Sequence, residues 1–148
     1  YRRSLYTYWK RSVPPPNMFA LDAPTREMCI TRRQRTNTPL MALVLMNDPT
    51  FVEAARAMGT RLTEEAATDE ERIDRLFLLC LGRRPSEQEQ QLAGQLYATQ
   101  LAIFQENPNL ATAAVGQYHV PGRTMAAQAA WIAVSRTIMN LDEFITRE

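Results

Sequence analysis

The sequence predicts an all-α fold, an irregular bundle of about five helices with an extended Arg- and Pro-rich N-terminal segment. Three observations carry this reading. The composition is globular and favours helix, with 45% hydrophobic and 22% charged residues, only 5 glycines, and abundant Ala, Leu, Met, Gln and Glu. Helix-start signals recur at Thr38-Pro39, at Asp48-Pro49, at Ser86 with Glu89 and at Thr124, each ahead of apolar residues at helical spacing. Nowhere does the apolar–polar alternation of a half-buried strand persist. With 148 residues the chain is the size of one domain with one core, divided into a loop arm over 1–37 and a helical bundle over 38–148.

Taken in order, residues 1–12 (YRRSLYTYWKRS) are aromatic and basic without a clean period. A helical face of Leu5, Tyr8 and Trp9 and an extended segment are equally admissible. Pro14, Pro15 and Pro16 enforce a stiff corner, since each proline fixes φ and removes a donor. Residues 17–35 read as an irregular loop with one helical turn around 17–21, punctuated by Pro24. The aromatic and apolar side chains of 1–21 exceed what an extended arm can hide, so they are expected to leave an exposed apolar patch or to pack against a neighbouring chain.

From Thr38 the signals sharpen. Thr38 as N-cap and Pro39 at the first helical position open a short helix to about Met46, whose apolar run from Leu40 is expected to be buried. Asp48-Pro49 repeats the device, and Phe51, Ala55, Met58 and Leu62 then form one inward stripe that fades over 63–68. Thr68 or Asp69 caps a third helix with Ile73, Leu76, Phe77, Leu79, Cys80 and Leu81, stopped by Gly82 and Pro85. Apolar residues nearly encircle its second half, which places it at the centre of the core. Ser86 and Glu89 form a capping box for a fourth helix, with Leu92, Ala93, Leu96, Tyr97, Ile103 and Phe104, ending before Pro108. Residues 107–123 read as a mobile loop with a helical turn around 110–115. Thr124 caps the last long helix, with Ala127, Trp131, Val134, Ile138 and Leu141 inward and a break near Asn140.

The formal charge is +1 but unevenly spread. Residues 1–36 carry eight basic side chains against Asp22 and Glu27, while the rest carries nine arginines against fourteen acids. All basic residues but Lys10 are arginine, whose planar fork suits carboxylates, phosphates and sulfates. The basic third either docks on acidic helices of the same molecule or takes an anionic ligand. The candidates are Arg26, Arg32, Arg33 and Arg35 with Asn37, just ahead of the Thr38-Pro39 helix start, where free N–H groups favour an anion. At least one of Arg32, Arg33 and Arg35 is expected to make a partly buried ion pair. Near-neutral charge and the lack of a basic recognition helix argue against nucleic acid as a partner.

No catalytic or metal residue is assigned. His119 stands alone in QYHVPGR and reads as a loop residue, and the acids Glu64, Glu65, Asp69, Glu70 and Glu71 read as a solvated helix junction. No phosphate-binding loop, nucleophile elbow or metalloprotease motif occurs, so catalysis confined to this chain is not expected. Cys29 and Cys80 show no metal spacing and no C-x-x-C-H haem site. Two buried thiols are favoured over one disulfide. The longest apolar run is far short of the roughly 18 residues of a membrane span.

Three segments carry a family resemblance: residues 1–56, residues 75–89 (RLFLLCLGRRPSEQE) and residues 130–148 (AWIAVSRTIMNLDEFITRE). They resemble the C-terminal planctomycete secreted domain of unknown function found in proteins with planctomycete-type cytochrome c domains. The resemblance implies a secreted or periplasmic setting and a chain that is the C-terminal part of a longer domain. It also implies contacts with upstream domains of the same polypeptide, and haem on a separate domain. It offers no catalytic residues. On these grounds the chain is expected to be a non-catalytic helical module that mediates domain–domain or anionic-ligand contacts, with an anionic glycan as candidate partner. The alternative is part of a polysaccharide-processing or redox enzyme whose active site is completed by an upstream portion.

Overall fold

The computed structural model describes residues 6–10, 12–25, 27–32 and 36–146. Among them are eight α-helices and no strand; one isolated β-bridge joins Lys10 and Val13. The chain divides into two compact units, Tyr1–Val44 and Leu45–Glu148. The division falls inside the helix that begins at Pro39.

The first unit holds helix α1, Pro16–Ala20, which starts at the third proline of the stiff corner and lasts barely more than a turn. It ends in a Schellman pattern: Ala23 N–H donates to the Met18 carbonyl at 2.9 Å and Asp22 N–H to that of Phe19 at 3.1 Å. Such an ending needs one residue in the left-handed region. Asp22 takes it at φ 56°, in the place where glycine is usual. Tyr6, Tyr8, Val13 and Phe19 stand exposed, in keeping with the apolar patch expected over 1–21.

Helix α2, Pro39–Asn47, starts as the sequence indicates, with Thr38 Oγ accepting from Met41 N–H at 3.2 Å. Its apolar run is not buried throughout. Met41 and Leu45 are buried, whereas Leu40 and Leu43 are each 56% exposed. A helix apolar all round can hide only the stripe that faces a neighbour.

In the second unit, α3 (Pro49–Glu65) is capped by Asp48, whose side chain accepts from Thr50 N–H at 2.9 Å. Both α4 (Asp69–Cys80) and α5 (Glu87–Glu106) begin with reciprocal capping boxes, Thr68 with Glu71 and Ser86 with Glu89. Gly82, at φ 76°, closes α4 by donating to the Phe77 carbonyl. The acidic junction ahead of α4 is knitted by ion pairs: Glu65 accepts from Arg61 at 2.7 Å and from Arg75 at 3.3 Å.

Helix α7, Met125–Ile138, lies at the centre, packed on α3, α5 and α6 and, less extensively, on α4. This corrects the expectation for α4. Eight α7 residues from Gln128 to Ile138 are buried, while on α4 Leu78 is exposed. The reason is side-chain size. Ala129, Ala130 and Ser135 let neighbouring backbones approach α7 on several sides, whereas the leucines of α4 crowd one side and spill onto the surface. Trp131 stacks on Tyr97, ring centroids 4.5 Å apart, and the nearly buried Arg72 guanidinium lies 5.8 Å over the Trp131 ring. Leu92 on α5 is 65% exposed rather than inward, and Leu141 is also exposed.

The expected loop over 107–123 is largely helical. Helix α6, Pro108–Val115, starts on its proline, and a 3-10 turn, Gly116–Tyr118, follows. Helix α8, Asp142–Ile145, comes after the break near Asn140. Its Glu143 shares Arg83 with Glu89: Arg83 donates to Glu89 at 2.6 and 2.8 Å and to Glu143 at 2.8 Å.

Candidate functional site

The first unit contains a cavity of about 580 Å³ beside the end of α1. Its wall is apolar at Phe19, Met28, Ile30 and Leu40, with hydroxyls from Thr25 and Thr36 and the guanidinium side chain of Arg32. The loop that forms it is tied at its base. Having turned into the left-handed region, Asp22 presents its carboxylate to Thr36, accepting from the backbone N–H at 2.7 Å and from the hydroxyl at 2.8 Å. This clasp joins positions fourteen apart. Trp9 adds an indole N–H to the Thr25 carbonyl at 3.4 Å.

Of the residues singled out from sequence, Arg32 lines this cavity and is exposed, and it has no carboxylate partner among the described residues. Asn37 is exposed, between the clasp and the Thr38 cap. Arg26, Arg33 and Arg35 lie outside the described residues. Cys29 is exposed rather than buried, and Cys80 is buried in the core of the second unit; both are free thiols. Burial pushes the Cys80 thiol up to about 11.

A second cavity, of about 590 Å³, belongs wholly to the second unit and was not foreseen. It is lined by Asn47, Pro49, Val52, Glu53 and Arg56 at the start of α3 and by Gln117 and Tyr118 of the 3-10 turn. The Tyr118 hydroxyl donates to Glu53 Oε1 at 2.5 Å, and that carboxylate holds the phenol above its ordinary range. Arg56 donates through Nε to the Ala114 carbonyl at 2.8 Å and through Nη2 to that of Ala113 at 3.0 Å, capping the end of α6.

Beneath the turn, Gln128 of α7 is fully buried. Its side-chain N–H groups reach Thr60 Oγ1 at 3.0 Å and the Tyr118 carbonyl, and its Oε1 accepts from Val120 N–H at 3.0 Å. One amide thus fixes the segment that carries Tyr118. Nothing local in the sequence brings Gln117 and Tyr118 to a helix more than sixty positions earlier. The only hint is a glutamine among the alanines of the first turns of α7.

His119 is exposed on the same turn. Among the described residues no cluster of His, Cys, Asp and Glu could hold a metal ion, and no helix is long and apolar enough to cross a membrane.

A family profile described as "PSD1: Protein of unknown function (DUF1553)" matches residues 1–97. The match takes in the first cavity and α3 and stops within α5, ahead of the 3-10 turn. No curated protein and no solved structure matches.

Proposed function

The chain belongs to the PSD1 family of proteins of unknown function (DUF1553), and from that membership and the geometry of its first unit we propose that it is a non-catalytic helical binding module. Its ligand is an anionic group, carried by a glycan or by an upstream domain of the same polypeptide, and Arg32 receives it. The observation that carries this reading is an arginine without a carboxylate partner among the described residues, on the wall of a clasped cavity. A guanidinium presents several donors in a plane and binds carboxylate or sulfate in a bidentate way. The Asp22–Thr36 clasp holds the loop base in place, so less ordering is left to be done on binding.

Arg26, Arg33, Arg35 and Asn37 are further candidates for the same anion by their place in the sequence. A secreted or periplasmic setting and haem on a separate domain of the parent protein remain part of the proposal through the family resemblance. Titration calorimetry of the chain with a sulfated oligosaccharide tests it. Binding should fall as salt rises, because exposed charges are screened beyond roughly 8–10 Å at physiological ionic strength. Arg32→Ala should weaken it by on the order of tenfold, the equivalent of one charge-assisted contact. Absence of binding by the unmodified chain, or equal binding by Arg32→Ala, would overturn the reading.

A further inference from the structure

We propose that the cavity between the start of α3 and the 3-10 turn binds a neutral polyhydroxylated ligand, a sugar ring with adjacent hydroxyl groups. This site is separate from the anion reading at Arg32 and does not depend on it. Its volume, about 590 Å³, falls in the range of small-molecule sites, roughly 300–1,000 Å³.

Its chemistry selects the ligand class. Glu53 and Arg56 sit one helical turn apart on α3 and both line the cavity. One carboxylate oxygen of Glu53 is taken by the Tyr118 hydroxyl, and Arg56 uses Nε and Nη2 on the α6 carbonyls. The second Glu53 oxygen and Arg56 Nη1 have no bond to a described residue, so an acceptor and a donor remain among the groups that line the cavity. Their charges are opposite, so a ligand with a single charge of either sign loses to one group what it gains from the other. A hydroxyl donates and accepts at once, so two neighbouring hydroxyls can satisfy both groups without bringing charge.

The remainder of the lining fits the same ligand. Pro49, Val52 and the Tyr118 ring offer apolar surface to the C–H face of a sugar, and the Gln117 amide supplies a further donor and acceptor. The arrangement is also held without a ligand. Gln128, buried beneath the turn, secures Tyr118 and Val120, and Tyr118 in turn orients Glu53. Sites whose groups are fixed in advance lose less on binding.

The test uses the full chain and saturation-transfer NMR with glucose, galactose, xylose, N-acetylglucosamine and, as the zwitterionic competitor, alanine. At least one neutral sugar should receive transfer at millimolar concentration. Glu53→Gln should weaken its binding by on the order of tenfold, since a charged acceptor is lost while an acceptor for Tyr118 remains. Tyr118→Phe should weaken it as well, through a Glu53 no longer held in position. Thermal melting of each variant identifies any that fails to fold, and the other then decides. Failure of every sugar to bind would overturn the proposal, as would alanine binding in their place, or sugar binding unchanged in the folded variants.

Discussion

Gly59 of α3 lies flush against Ile132 of α7: a β-carbon on Gly59 would stand 2.6 Å from Ile132 Cγ1 and 2.8 Å from its backbone nitrogen. Two helices can approach this closely only where one presents no side chain. The contact brings α3 onto the central helix, beside the Thr60–Gln128 hydrogen bond that supports the 3-10 turn. In Gly59→Ala the gain in helix propensity, about 1 kcal/mol, is set against a clash with backbone atoms that cannot swing aside. Overpacking should win, with a net loss of about 1–3 kcal/mol in chemical denaturation. An unchanged or raised midpoint would show that the helices separate at little cost.

The Arg83 clamp should make stability depend on acid pH. Hydrogen bonds from Arg83 and Ser86 hold the Glu89 carboxyl down at about 2, against an ordinary 4.5, and Arg83 lowers Glu143 in the same direction. Folded pKa values below the unfolded ones stabilise the protein above the ordinary carboxylate range. The contribution is lost as the pH falls from about 4.5 towards 2. The effect is modest, because both pairs are partly exposed and screened by salt. Urea midpoints measured over that interval should fall less steeply for Glu89→Gln than for the unmodified chain. Parallel curves would remove the clamp from the account.

The two thiols should react differently. Cys29 is exposed, whereas Cys80 is buried with its thiol pushed up to about 11, so little thiolate forms at neutral pH. A disulfide-exchange reagent should count one thiol in the folded protein and two after denaturation without reductant. A count of zero after denaturation would show that Cys29 and Cys80 are paired.

The elements with chemical punctuation were legible in the sequence. Thr38-Pro39, Asp48-Pro49, Ser86 with Glu89 and Thr124 each start a helix where local hydrogen bonding demands one. What sequence could not show is which helix lies in the middle. The leucines of α4 give the stronger apolar signal, yet the alanines and Ser135 of α7 admit neighbours on more sides. Two prolines and two glycines make residues 107–123 read as a loop with only a helical turn around 110–115, yet Pro108 and Gly116 stand in their usual helix-end positions. The arginine cluster was visible as composition and Arg32 as a member of it. The Glu53–Tyr118 pair was not, since it depends on a tertiary contact organised by a buried Gln128.

The last prediction separates the two roles of Asp22. This residue occupies a left-handed conformation at φ 56°, which costs most residues roughly 1–2 kcal/mol, and its carboxylate clasps Thr36. Asp22→Asn keeps an acceptor and a side chain that tolerates the backbone, so it should lose least. Asp22→Gly relieves the backbone but gives up the clasp, whose hydrogen bonds to a charged acceptor are each worth about 1.5–3 kcal/mol when shielded from water. Asp22→Ala loses both and should be the weakest. Limited proteolysis within residues 23–35 reads the order directly, with cleavage fastest for alanine, then glycine, then asparagine. Affinity for the sulfated probe should follow the same order, because Arg32 lies on the loop that the clasp closes. If the glycine variant resists cleavage as well as the unmodified chain, the backbone turn alone holds the loop and the Thr36 contact is incidental.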